Sequence, residues 1–230
     1  MSERAARSDS PGQVGSVHLP GDRVLISQTV GTAPLAIASI TAVLRDLLAN
    51  GLIRYSSVTR LGDVNVSVLP PDRITVGSEE PNQLNVFMYS VAPHSSLKHK
   101  APLGADRGPR PQRLTLDLHY LVTAYGAQDY HSEILLGCAV HLLGRTPVLT
   151  RDIIREALTT SSPKAQKAGA LSPARSALAS SDVIDEDGRI RVTQQFLTFE
   201  EMSKMWSVLQ ARYRPSVTYE VSAVGVSLEG

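Results

Sequence analysis

The spacing of apolar positions along this chain changes period several times, and each change marks an element. From Pro34 to Asn50 the sequence PLAIASITAVLRDLLAN puts Leu35, Ile37, Ala38, Val43, Leu44, Leu47 and Leu48 on one broad stripe, the 3.6-residue repeat of an amphipathic helix. Pro34 stands where helices start and Gly51 where they stop, so the spacing predicts a helix closing at Asn50. Three runs rich in β-branched and aromatic residues follow, VNVSVLP at 64–70, RITVG at 73–77 and QLNVFMYSV at 83–91. The turn-forming PPD and EEPN separate them, and all three read as strands.

The stretch LTLDLHYLVTAYG then alternates with period two. Leu114, Leu116, Leu118 and Tyr120 share one face, and Thr115, Asp117 and His119 share the other. HSEILLGCAVHLLGR and TRDIIREALTT read as helices, the second with Thr150 at its N-cap. RIRVTQQFL reads as a strand. Thr198 with Glu201 three residues later has the spacing of a capping box, opening a helix that sets Met202, Met205, Trp206 and Leu209 on one face. A last strand, PSVTYEVSAVGVSL, alternates Val217, Tyr219 and Val221 against Thr218, Glu220 and Ser222. Helices interspersed among strands define an α+β fold, a central mixed sheet flanked by helices.

Between these elements the composition shifts. Residues 1–30 are rich in Ser, Gly, Pro and charge and read as a flexible tail, within which VLISQTV has the composition of a short docking strand. Residues 31–230 read as a single domain. Residues 92–113 form a long loop, since four prolines and two glycines block regular structure. Residues 160–182 are a low-complexity Ala/Ser/Pro/Lys insert with little to bury, read as a mobile loop.

With 23 basic and 22 acidic side chains the formal charge is +1, which gives no global attraction to nucleic acid or membrane. The first residues lack the apolar core of a secretion signal and no apolar run approaches the length of a membrane span, so a soluble protein assembled in the cytoplasm is expected. The one cysteine, Cys138, lies in an apolar run and reads as a buried small side chain.

Candidate chemistry is sparse. Asp117 and His119 would sit side by side on a strand, as an orienting carboxylate and a base in a hydrolase, or as the polar face of a core strand. No G-x-S-x-G elbow presents a serine, and no phosphate-cradling glycine motif occurs. The histidines lack the spacing of a metal site, so neither metal nor cofactor is expected. The loop from 98 to 113 gathers Lys98, Lys100, Arg107, Arg110 and Arg113 against the single acid Asp106. It is either a grip for an acidic or phosphorylated partner or a solvated loop, and without aromatic residues it does not resemble a nucleic-acid surface.

Four segments, QLNVFMYSVAPHSSLKHKAPL, RLTLDLHYLVTAYG, HSEILLGCAVHLLGRTPVLTRDIIREAL and EEMSKMWSVLQARYRPSVTYEVSAV, resemble in order and spacing the tail-terminator or cap proteins of phage-tail-like contractile injection systems, of the antifeeding-prophage and virulence-cassette type. The resemblance spans about residues 34–228. It implies a phage tail-terminator-like fold and a structural role without catalysis. Copies would form a six-fold ring on the baseplate-distal end of the inner tube and sheath, stopping polymerisation and anchoring the last sheath layer. The implied partners are further copies of the chain, the inner-tube protein and the sheath protein, with no nucleic acid and no membrane insertion. The tail and the 160–182 insert read as longer than the compact family pattern, and a chain without the further C-terminal domain of some relatives is expected. The five basic loop residues are the interface candidates. Edge strands, QLNVFMYSV and the terminal strand, are further sources of contact, including strand addition by a sheath arm.

Overall fold

The computed structural model describes residues 35–59, 61–77, 80–95, 113–159 and 190–227. The N-terminal tail, the centre of the basic loop and the 160–182 insert lie outside the described residues.

Helix α1 (Ala36–Thr59) passes through Gly51 instead of stopping before it. A Cβ at Gly51 would run into the side chain of Leu142, so this glycine marks a close crossing of two helices and not a terminus. Buried positions Ala36, Ile40, Val43, Leu44, Leu48 and Leu52 define the inward stripe. That stripe is rotated from the expected one, with Ala38 exposed and Ser39 buried, its hydroxyl bonded back to the Leu35 carbonyl at 2.9 Å. By length and composition Ala36–Tyr55 is apolar enough to cross a membrane, against the expectation of no such run. Its apolar face is used inside the domain instead.

Strand β1 (Asn65–Ser67) is shorter than its run suggested. RITVG is not a strand: a 3-10 turn at Pro71–Arg73 takes its start, and Ile74–Gly77 leave the sheet. β2 (Gln83–Pro93) and β3 (Arg113–Tyr125) absorb the ends of the expected 92–113 loop. α2 (His131–Gly144), β4 (Val148–Leu149), α3 (Arg151–Thr159), β5 (Ile190–Gln195), α4 (Phe199–Val208) and β6 (Ser216–Ser227) complete the chain. The Thr198–Glu201 capping box forms in full, and the Thr150 hydroxyl accepts from the Ile153 N–H at 3.4 Å.

The sheet runs β1-β2-β3-β6-β5-β4, with β1 parallel to β2 and every other pair antiparallel. The terminal strand is therefore interior, between β3 and β5, and not an edge. α1, α2 and α3 cover one face over Leu84, Val86, Leu116, Leu118, Tyr120, Val122, Val192, Tyr219, Val221 and Val224. Each large aliphatic side chain buried there contributes roughly 1.5–3 kcal/mol relative to exposure. α4 packs on the second face, where its Trp206 is buried in contact with the Tyr213 ring and the hydroxyl of Ser216, the strand partner of Thr123, meets the Met202 sulfur.

Two bulges keep this inside-out order along the full strands. Tyr89 is an extra residue in β2 between Met88 and Ser90, and β6 spends Ser222 and Ala223 opposite the single Asp117. Side chains alternate with period two, so without the second bulge Val224 and Val226 would point away from the core.

Candidate functional site

Asp117 sits at the β6 bulge, and its neighbours decide its role. Its Oδ1 lies 2.7 Å from Nδ1 of His94, just past the end of β2, and accepts the Ala223 N–H at 3.2 Å. Ala223 has φ 64, a left-handed conformation that a non-glycine residue holds only when its surroundings fix it. The carboxylate thus binds the bulge of one neighbouring strand and the end of the other. It is a brace across three strands, and it is not aimed at His119.

His119 faces other groups. Its ring lies 6.0 Å from that of Tyr89, and its backbone stands opposite Glu220 on β6 and Ser90 on β2. No side-chain hydrogen bond joins Ser90 to His119 among the described residues. The Tyr89 hydroxyl is pushed up by burial, then by the charges of Glu220 and Glu201. The Glu220 carboxylate accepts from Gln195 Nε2 at 3.1 Å. An acid, a base and a nucleophile are not assembled here.

The other polar groups serve the framework. Buried Asn82 donates to the Leu61 carbonyl at 2.6 Å, while its Oδ1 takes the Ala127 N–H and lies 2.9 Å from His131 Nδ1. His141 packs edge-on against Tyr55. Cys138 is buried and burial pushes its thiol up, which keeps it a weak nucleophile. Among the described residues no three His, Cys, Asp or Glu side chains are grouped to hold a metal ion. Beneath the second face Arg214 pairs with Glu80 at 2.6 Å and lies 6.0 Å from the Tyr125 ring. Burial pushes the Tyr125 hydroxyl up to about 12, with Arg214 opposing and Glu80 adding to the shift.

Of the five interface candidates, Lys98, Lys100, Arg107 and Arg110 lie outside the described residues. Arg113 opens β3, its backbone opposite Ser227. The structure does fix the two stems of the basic loop, since Pro93 pairs with Leu116 and the His94 N–H donates to the Thr115 carbonyl at 2.9 Å. Both stems lie at the end of the sheet that Asp117 braces.

Sequence reasoning missed a second feature. Val68, Leu69, Val76 and Val91 are exposed on the β1–β2 margin, and Phe196, Phe199, Val208 and Tyr213 are exposed on and around α4, the two phenylalanines at 89% and 85%. Phe196 and Phe199 flank the capping box in water, and nothing in the periodicity shows that they miss the core.

Among the described residues a mixed sheet carries three helices on one face and one on the other, and Asp117 and His94 tie its strands together. The chain belongs to the family described as the Pvc16 N-terminal domain, whose model matches residues 39–228. No curated protein matches it. Among solved structures it is similar, at 15% identity and a TM-score of 0.45, to the PVC sheath/tube terminator of an extracellular contractile injection system in the extended state, over 80% of this chain and 56% of that one. It is also similar, at 15% identity and a TM-score of 0.41, to the tube-terminating cap of the anti-feeding prophage, over 71% of this chain and 49% of that one. The chain thus spans about half the length of each. Both are named for a structural part of a particle.

Proposed function

We propose that this chain is a cap subunit of a contractile injection particle. Copies form a six-fold ring on the baseplate-distal end, where the ring stops growth of the inner tube and sheath and anchors the last sheath layer. Family membership over most of the chain supports the cap role. The observation that carries the ring is the placement of exposed apolar side chains. Val68, Leu69 and Val91 lie at one margin of the sheet, whereas Phe196 and Phe199 follow β5, three strand spacings from β2 or about 14 Å. A closed ring needs two different patches on each subunit, one meeting the other on its neighbour.

The basic loop, with Lys98, Lys100, Arg107, Arg110 and Arg113, supplies the contact with the tube or sheath subunits, and assembly takes place in the cytoplasm without membrane insertion or nucleic acid. The hydrolase alternative loses its support because Asp117 is engaged by His94 and Ala223. Light scattering over a range of concentrations tests the ring: a species near six times 24.8 kDa is expected. A chain that stays monomeric both alone and with purified tube and sheath subunits overturns the assignment, as do particles of normal length and stability assembled without it.

A further inference from the structure

The outer edge of β2 is only partly used. β1 pairs with it over three positions, Asn65–Ser67 against Gln83–Asn85, and β1 is the last strand on that side. Among the described residues the edge from Val86 to Pro93 meets no strand. Side chains end the β1 pairing at a fixed place. Buried Asn85 donates Nδ2 to the Leu69 carbonyl at 2.8 Å and accepts the Leu69 N–H at 3.1 Å and the Ser67 hydroxyl at 2.7 Å, while Gln83 Nε2 donates to that same hydroxyl at 2.6 Å. These bonds turn the chain away toward the Pro71–Arg73 turn. Among the described residues, the outward-facing N–H and C=O groups of this eight-residue edge, those of every second residue, meet no strand, a template for one more.

The start of α1 limits what can reach that template. The Thr41 hydroxyl lies 2.9 Å from that of Tyr120, whose strand partner is Met88, and Ala36 is about 7.5 Å further along the helix axis. That rise matches two strand residues, which brings Ala36 level with Leu118 and Leu116 and so with their partners Val91 and Pro93. At its other end α1 leads to β1, opposite Gln83. The helix therefore runs antiparallel to β2 and begins beside the upper end of the open edge.

Directly before it, the sequence offers VLISQTV at 24–30, with β-branched residues at Val24, Ile26, Thr29 and Val30. Only residues 31–35 intervene, and five residues span at most about 17 Å. That length carries the chain sideways across two strand spacings of about 4.8 Å each. It does not also return the chain along the roughly 26 Å of eight edge residues, so only one direction is within reach.

We propose that residues Val24–Val30 dock within the same chain as a seventh strand, parallel to β2, along its edge from Val86 to Pro93. Recognition is through the main chain, and the strand brings apolar side chains beside the exposed Val91. Docking seals an edge that would otherwise pair with other chains. It does not depend on the cap role.

Amide hydrogen exchange on the full chain tests it, comparing the native sequence with the double variant Leu25→Pro and Ile26→Pro. Adjacent prolines remove a ladder donor whichever parity faces β2. Alternate amides between Val86 and Pro93 are expected to exchange at least about tenfold more slowly in the native chain, while those of β3 and β6 stay unchanged. A chain starting at Gly31 must show the same loss of protection. Equal exchange with and without the segment overturns the proposal. Protection that disappears on dilution also overturns it, since the strand then comes from a second copy.

Discussion

Replacing Asp117 by alanine separates a structural brace from a catalytic acid. The substitution removes the acceptor of two hydrogen bonds, from His94 at 2.7 Å and from the Ala223 N–H at 3.2 Å, at a carboxylate that is 13% exposed. Hydrogen bonds to a charged group contribute about 1.5–3 kcal/mol each. The longer bond and the partial exposure put the pair near the lower end, so a cost of about 2–4 kcal/mol is expected. For a domain of this size that corresponds to a fall in melting temperature of roughly 5–15 °C. His119→Ala, by contrast, is expected to cost under about 1 kcal/mol, because no hydrogen bond is lost. The assay is thermal and urea unfolding of both variants, with double-mutant cycles of Asp117 against His94 and against His119. Coupling of about 0.5–3 kcal/mol is expected with His94 and additivity with His119. The reasoning is refuted if Asp117→Ala melts within 2 °C of the native chain, or if the coupling lies with His119.

Gly51→Leu is expected to destabilise by about 1–3 kcal/mol in urea unfolding, because the new side chain meets Leu142 across the α1–α2 crossing. Thr198→Ala removes the hydroxyl half of the capping box while the backbone N–H of residue 198 still donates to Glu201, and should cost about 1 kcal/mol near neutral pH. The Thr198 N–H, then its hydroxyl, hold the Glu201 carboxyl below its ordinary range, so the part of the difference carried by the hydroxyl–carboxylate bond is present above the ordinary value and disappears as pH falls through the depressed one, which should narrow the gap between the two chains without closing it. At the alkaline end Tyr125 is raised from 10.0 to about 12 and burial also raises Tyr120 and Tyr219, so stability should fall as pH rises through this window, and Tyr125→Phe should reduce the slope; an unchanged slope counts against the burial argument. Replacing Lys98, Lys100, Arg107, Arg110 and Arg113 by Glu should leave melting within about 0.5 kcal/mol of native and abolish association with tube or sheath subunits, and normal assembly of the variant refutes the loop contact.

Elements with a long, uninterrupted pattern were legible in the sequence. β3 alternates without a break because both bulges lie in its neighbours, and α4 carries its start in the Thr198–Glu201 spacing. What failed to show depends on partners distant in sequence. Gly51 has the composition of a helix stop, but Leu142 determines its use. RITVG has strand composition, but Asn85 holds Leu69 and turns the chain before a strand can form. Asp117 and His119 are two apart and suggest a pair, yet the carboxylate's partners are 23 and 106 positions away. The Arg214–Glu80 pair spans 134 positions, beyond the reach of any local pattern.

The long-range ties also divide the labour between the two ends of the sheet. At the end where β2 begins, Asn82 binds the Leu61 carbonyl, the Ala127 amide and His131, and Arg214 closes on Glu80 near Tyr125. These contacts join α1, α2 and the approach to β6. The opposite end holds the stems of the basic loop, the start of α1 and the open stretch of β2, with the Asp117 side chain tying the three central strands there. A bulged strand is more twisted and bent than a regular one, so the two bulges turn that end of the sheet relative to the rest. Loss of the brace should therefore loosen the loop stems before it loosens the domain. In Asp117→Ala the amides of His94 and Ala223 should gain exchange while Asn82 and Ala127 keep theirs, which would place the looser end of the sheet at the Asp117 brace and its rigid end where the buried polar ties are.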